Sequence, residues 1–346
     1  MIEAHFGGSP PLSVGIEEEL MILDAGSLEP VGAVEVLLRD APADELPGTL
    51  KTEMHASVVE LNTGVCADVG EAVAALRELR AAAGRSARAN GLVVAAAGAH
   101  PSAHLESLPV VQEERYLEMI RSVGYAARRQ GVNGLHVHVG VATAEQCYER
   151  LEAVLPWLPV VLALSANSPF VDGEDTGMLS MRAPILAELP RAGAPPWFGS
   201  YGAWEAWVER LAGLGVLADY TRIWWDVRPQ PRLGTLEVRV ADQPTSLERT
   251  RLLASALVSL VEHAPARDSD PAARGDYAQN RWAAARGGLD AQLVHPDGAR
   301  VVGARELARE LLGAEPPEPE AVRQLEIAAA AGQRAVAADL VARTLT

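Results

Sequence analysis

The chain has 346 residues, 49% of them hydrophobic and 22% charged, and its 30 basic and 46 acidic residues leave a net charge of −16. This composition is that of a folded globular protein, not a disordered one, and the length permits one domain or two, of which one is expected. With so acidic a balance and no local basic patch, the chain is not expected to grip nucleic-acid phosphates, whereas a small anionic nucleotide stays compatible if divalent cations sit between it and the acids.

In chain order, residues 1–12 lack a basic start followed by an apolar stretch, and no later run reaches the roughly 18 apolar residues of a membrane span. No membrane partner is therefore expected. Strands are predicted over 13–23, 57–62, 92–97, 133–141, 223–228 and 235–241, several of them alternating polar with apolar residues. Between them, 71–90 places Val73, Leu76 and Leu79 at helical spacing, and 113–129 does so with Leu117, Ile120 and Val123. Thr143 to Gln146 and Thr245 to Glu248 each match a capping box and predict helix starts. The apolar run 154–166 carries Pro156 and Pro159 and reads as a buried helix or turn. Residues 172–200, rich in Gly and Pro, read as a long irregular loop and a candidate lid. A surface connection is predicted over 268–275, and an Ala-rich helical tail from Pro317 packs on the domain. The only cysteines, Cys66 and Cys147, are far apart and outside any C-x-x-C spacing, which argues against a zinc site or a disulfide framework and fits a reducing cytoplasm.

The informative feature is a set of ionisable pairs spaced two apart within apolar strands: Glu17 and Glu19, His136 and His138, Asp226 and Arg228, Glu237 and Arg239. Residues two apart in a strand project from one face. Glu53 and Glu60 bracket the second predicted strand. A solvated sheet face explains any one pair, but it would more often carry Thr, Lys and Ser than Glu, His, Asp and Arg. Were Glu17, Glu19, Glu53, Glu60 and Glu237 to converge, two carboxylates about 4 Å apart would repel by on the order of 4 kcal/mol at an effective dielectric of 20. Such a cluster calls for cations, and carboxylates with an imidazole suit Mg²⁺ or Mn²⁺. Phosphoryl transfer is the chemistry that uses this arrangement, with Arg182, Arg228 and Arg239 as candidates to neutralise phosphoryl oxygens. No G-x-x-x-x-G-K-[ST] loop and no strand-G-x-G-x-x-G-helix context is present, so a nucleotide would have to lie on the sheet. Ser165 and Ser168 lack a nucleophile-elbow context.

Six motifs carry a resemblance: G-I-E-E-E-L at 15–20, T-E-M-H-A-S-V-V-E-L-N-T at 52–63, G-L-H-V-H-V-G at 134–140, D-T-G-M-L-S-M-R at 175–182, W-W-D-V-R-P at 224–229 and T-L-E-V-R at 235–239. Together, over about 13–295, they resemble the YbdK-type carboxylate-amine ligases, or glutamate-cysteine ligase type 2, of the glutamine synthetase-like superfamily. The resemblance implies an α+β fold: a six-stranded antiparallel sheet curved into a funnel or saddle, helices on its outer face, and a C-terminal helical segment over 300–346. It implies metal ligands at Glu17, Glu19, Glu53, Glu60, His136 and Glu237. Nucleotide contacts would come from His138, Arg228 and Arg182, and catalytic roles would fall to Arg182, Arg239 and Glu237. His138 as a hydrogen-bonded structural residue and Arg228 or Arg239 as salt-bridge partners remain open. Trp224 and Trp225 either frame the pocket or belong to the core, and Asn280 and Arg281, in a further family-like stretch, carry no assigned role.

The implied reaction takes ATP and Mg²⁺, activates a glutamate-like carboxylate as an acyl phosphate and passes it to an amine, by default cysteine. A different amine acceptor, an ATP-dependent kinase, and a non-catalytic nucleotide- or metal-binding protein stay as alternatives. Small molecules are the expected partners, and a homo-oligomer is left open.

Overall fold

The computed structural model describes residues 2–41, 46–265 and 273–346. Seven strands form one antiparallel sheet: β1 (Val14–Asp24), β2 (Gly48–Thr52), β3 (Val58–Thr63), β4 (Leu92–Ala95), β5 (Gly134–Gly140), β6 (Val227–Gln230) and β7 (Thr235–Asp242). The order across it is β6-β7-β5-β1-β3-β2, with β4 paired to the later half of β1. The α+β class and the antiparallel sheet agree with expectation, but the expected count of six becomes seven. The added strand β2 has a single apolar residue, Leu50, and so carries no alternation to read. The stretch predicted as one strand over 223–228 is two: Trp224–Trp225 pairs in parallel with Ala192–Gly193 outside the main sheet, and β6 begins after Asp226.

β1 organises both faces. Val14, Ile16, Leu20 and Ile22 point into the main core with Glu18 among them, while Glu17 and Glu19 point to the opposite face. Glu18 is fully buried and paired through both oxygens with Arg80, at 2.6 and 2.7 Å, and accepts a third hydrogen bond from Thr250. Arg80 also donates to the carbonyls of Thr245 and Thr344, both at 2.7 Å, so one guanidinium ties the sheet to two distant segments. Arg80 belongs to helix α1 (Val69–Ala89), which Asp68 caps by accepting from the Glu71 N–H and whose apolar stripe lies on the core.

The helix predicted over 113–129 breaks at Gly124, whose φ of +75° ends α2 (Glu114–Val123). Thr143 caps α3 (Ala144–Val154) as expected, accepting from Gln146 N at 3.1 Å. The second capping box is displaced by one residue. Ser246, not Thr245, caps Leu247–His263, because the buried Thr245 N–H is taken by Glu320. The run over 154–166 is a short 3₁₀ turn followed by the wholly buried helix Leu158–Ser165. Residues 268–272 of the expected surface connection lie outside the described residues, and 273–275 open the helix Ala273–Gly287. The tail is two helices, Glu320–Ala331 and Gln333–Thr344, hinged at Gly332 with φ +79°.

One helix also reaches the opposite face. Val336 and Leu340 of the last helix cluster with Met21 and Leu23, which share the face of β1 that carries Glu17 and Glu19. Burying each such aliphatic side chain contributes roughly 1.5–3 kcal/mol. The tail thus closes one end of that face and leaves the acidic end open. No helix among the described residues is long and apolar enough to cross a membrane.

Candidate active site

Cross-strand register assembles the polar pairs into rows on the open face. Lys51 of β2 lies opposite Glu60 of β3, which lies opposite Glu19 of β1. Asn62, Glu17 and His136 form the next row, and His138, Glu237 and Arg228 the third. Directly opposed residues share a face, so spacing along each strand and register across the strands together focus the charges. A register shift between Val238 and Ala241 bends β7 just past Arg239.

Two groups of three candidate metal ligands result, each offering donor atoms within 4.8 Å of one another: Glu17, His138 and Glu237, and Glu19, Glu53 and Glu60. His138, rather than His136, is the imidazole that joins a carboxylate group. His136 Nδ1 instead lies 3.0 Å from Glu17 Oε2 and 3.3 Å from Arg239 Nη1. Burial and the neighbouring Arg239 push the His136 ring down to about 4, so it is neutral at pH 7.

The first group is neutralised by the protein itself. Burial raises the Glu237 carboxyl, yet Arg228 and Arg239 outweigh it and hold the group far below the usual range. Arg228 binds Glu237 through two nitrogens at 2.7 and 3.1 Å, and Arg239 adds a further short contact. Glu17 is likewise raised by burial but carried well below its ordinary value by His138 and His136. His138 Nε2 sits 3.3 Å from Glu17 Oε1, and its Nδ1 meets the Thr235 hydroxyl at 3.0 Å. Burial depresses the His138 ring, but Glu17 prevails and raises it.

In the second group burial outweighs everything that opposes it. It lifts Glu19 to about 7, and it lifts Glu53 well above its ordinary value with help from Glu60 and Glu19. Glu60 is raised by burial and by Glu17. Among the described residues no lysine, arginine or histidine lies within 4.0 Å of these three carboxylates. One buried and two half-buried carboxyls with no basic group in direct contact form a hard oxygen donor set, which fits a divalent cation such as Mg²⁺ or Mn²⁺. Glu53 is on no strand. It follows β2, and α2 docks beside it through the Tyr116 hydroxyl, which donates to the Thr52 carbonyl at 2.9 Å.

The carboxylates open into a cavity of about 550 Å³ whose far wall is Arg115, Tyr116, Glu118 and Met119 of α2 with Asp219, Thr221, Arg222 and Trp224. Trp224 therefore faces the cavity, while Trp225 belongs to a buried aromatic cluster. Sequence reading passed over the α2 residues, although the i, i+3, i+4 spacing of Arg115, Glu118 and Met119 places them on one helix face. No residue of 172–200 lines this cavity, and Ser180, Arg182, Ala183 and Ile185 within that stretch are buried. Walls from α2 and 219–224 stand where the lid was expected.

Arg182 also departs from expectation. It is buried outside the cavity lining, donating to the carbonyls of Val240 and Arg239 at 3.3 and 3.1 Å. Only a glycine at 134 admits it, since a Cβ there would meet the guanidinium at 2.1 Å. From that position it partly offsets the burial of Glu19, which accepts from the Gly134 N–H at 2.5 Å. Asp226 lies away from the cavity, bound bidentately by Arg281, and Asn280 pins the backbone of Val294. Both cysteines are free and buried.

The chain matches the model of the family described as glutamate-cysteine ligase family 2 over residues 13–339. A provisionally named glutamate–cysteine ligase 2-3 of Rubrobacter xylanophilus is 39% identical over 312 residues, covering 90% of this chain and 85% of the relative. A provisionally named glutamate–cysteine ligase 2 of Sorangium cellulosum is 38% identical over 306 residues, covering 87% and 82%. Among solved structures, a glutamate–cysteine ligase of Francisella tularensis in complex with AMP has a TM-score of 0.66 at 14% identity, over 97% of this chain and 89% of its own. A bifunctional glutathione synthetase of Pasteurella multocida has a TM-score of 0.63 at 18% identity, over 96% of this chain and 51% of its own. At these identities the structural likeness establishes the fold alone.

Proposed function

The chain belongs to glutamate-cysteine ligase family 2 and is a carboxylate-amine ligase, and on that premise we propose that its acidic cavity uses ATP and a divalent cation to activate the side-chain carboxylate of glutamate and join it to the amine of cysteine. The observation that carries this reading is the group Glu19, Glu53 and Glu60: one buried and two half-buried carboxyls with donor atoms within 4.8 Å of one another and, among the described residues, no basic side chain in direct contact. Cations held there, and by Glu17, His138 and Glu237, would neutralise the nucleotide phosphates and orient the terminal one.

A substrate carboxylate oxygen attacks the γ-phosphorus, the bond to the β–γ bridging oxygen breaks, and an acyl phosphate and ADP result. The amine then adds to the acyl carbon, phosphate departs, and the amine loses a proton. Arg239, at the cavity wall, is the guanidinium positioned to offset charge on the transferred group. Arg228 also borders the cavity, but its bidentate bond to Glu237 gives it the separate task of orienting that carboxylate. Tyr116, Met119 and Trp224 supply the apolar part of a wall that shields a hydrolysable acyl phosphate from water. Arg182, on the same face of the sheet but outside the cavity lining, moderates the charge on Glu19.

The test is release of ADP and phosphate by purified protein with ATP, Mg²⁺, glutamate and a panel of amines that includes cysteine, products being identified by mass spectrometry. The reading expects an amine-dependent amide product that Glu60→Gln abolishes. A stable phosphorylated product without an amine requirement would identify a kinase instead, and ATP binding with no turnover across the panel would identify an idle binder.

A further inference from the structure

Of the thirty basic residues, twenty-nine are arginine and one is lysine, Lys51. That single ε-amine is not on a remote surface. It is on β2, the edge strand of the sheet, where Leu50 turns towards the core and Thr49 and Lys51 turn to the open face. Register sets it directly opposite Glu60, at the end of the row that continues to Glu19. Although it faces a carboxylate, its ammonium forms no salt bridge within 4.0 Å among the described residues, and it influences Glu60 only through its charge.

Lys51 lines a second cavity of about 240 Å³ that meets the acidic one at Glu17. The lining differs from that of its neighbour: Val14, Ile16, Val65 and Leu233 give it an apolar side, and Thr49 and Asn62 line it together with Lys51. Val65 and Leu233 are exposed at 69% and 49% and offer apolar surface to a ligand in this cavity. Among the described residues Lys51 is the only lysine or arginine in this lining. A ligand with a flat apolar part and a polyanionic tail fits the pair of cavities: the apolar part rests against Val65 and Leu233, and the tail runs past Lys51 towards Glu17 and the carboxylate groups. A compact ammonium with three rotatable donors binds phosphate as a point charge without the planar fork that arginine imposes.

We infer that Lys51 is a substrate-contacting residue that binds the phosphates of the nucleotide where the two cavities meet. This rests on the ATP-dependent reading above. The competing assignment is a charge that only guards an exposed sheet edge, a common use of lysine.

The composition supplies the test, because the chain has one ε-amine to modify. Full-length protein is treated with pyridoxal 5′-phosphate and borohydride, and the modified residue is located by mass spectrometry. Lys51 is expected to be the labelled side chain, and saturating Mg²⁺·ATP is expected to slow its labelling about 10-fold or more, while glutamate alone does not. In kinetics, Lys51→Met is expected to raise KM for ATP about 10- to 100-fold, the range of a lost hydrogen bond to a charged group, with KM for glutamate little changed and partial recovery in Lys51→Arg. Labelling that proceeds at the same rate with Mg²⁺·ATP shown by calorimetry to be bound, together with an unchanged KM for ATP in Lys51→Met, overturns the inference and leaves the ligase reading standing. Failure of the unmodified protein to bind ATP at all overturns both.

Discussion

Two carboxylate groups less than a strand's length apart have been given opposite electrostatic surroundings. Glu17 and Glu237 are answered by His138, Arg228 and Arg239 and stay ionised at any ordinary pH, whereas Glu19, Glu53 and Glu60 are drawn together, buried or half-buried, with no basic side chain in direct contact among the described residues. The first group is largely balanced as the chain folds. The second lacks a basic side chain in direct contact and has the greater need of a cation that arrives later.

That contrast can be broken most forcefully at Glu237. Glu237→Gln leaves Arg228 and Arg239 buried without their shared carboxylate, and a loss of roughly 3–5 kcal/mol in unfolding free energy is expected, measured by urea denaturation with chelator present. Glu60→Gln should act in reverse, cutting turnover by about 10²–10³-fold, the scale of a lost transition-state contact, while the metal-free protein becomes no less stable. If both substitutions destabilised equally, the two groups would not differ as described.

Acidity sharpens the contrast next. Glu19 has a folded value of about 7 against an ordinary 4.5, so folding favours its protonated form. The metal-free protein should therefore lose stability as pH rises from 4.5 to 7, by about 3 kcal/mol from this group alone, with Glu53 and Glu60 acting in the same direction. Glu17 and Glu237 have depressed values and contribute stability that is present above 4.5 and lost on acidification. Unfolding measured from pH 4 to 8 should show the fall towards neutral pH in chelator, and Mg²⁺ should remove it. The smallest effect belongs to His136→Gln, which alters a residue that holds Glu17 but lies outside both three-residue groups. About a 10-fold loss in metal affinity is expected by calorimetry, less than for His138→Gln.

Much of this was legible beforehand, and for local reasons. The paired acids, histidines and arginines were found because alternation in a strand is set by the backbone, and two-residue spacing survives any rearrangement around it. The edge strand β2 escaped because a strand with one apolar residue leaves no pattern, and the Thr245 capping box misled by one residue because Glu320, 75 residues away, claims its N–H. The place of Arg182 was hidden for a related reason: a charged residue in a Gly- and Pro-rich stretch reads as a loop residue, and only the missing side chain of Gly134 lets its guanidinium lie over the sheet near Glu19.

The sequence by itself determined which side chains leave each strand together, the acidic character of the site and the membership of the family, since these follow from residue type and short-range geometry. Tertiary structure alone decided which rows align, that His138 rather than His136 joins Glu17 and Glu237, that Glu53 arrives from beyond a strand end, and that α2 forms the wall. Those outcomes depend on register, on the bend in β7 and on packing between segments remote in the chain. Each is a property of several segments at once, and no single stretch encodes it.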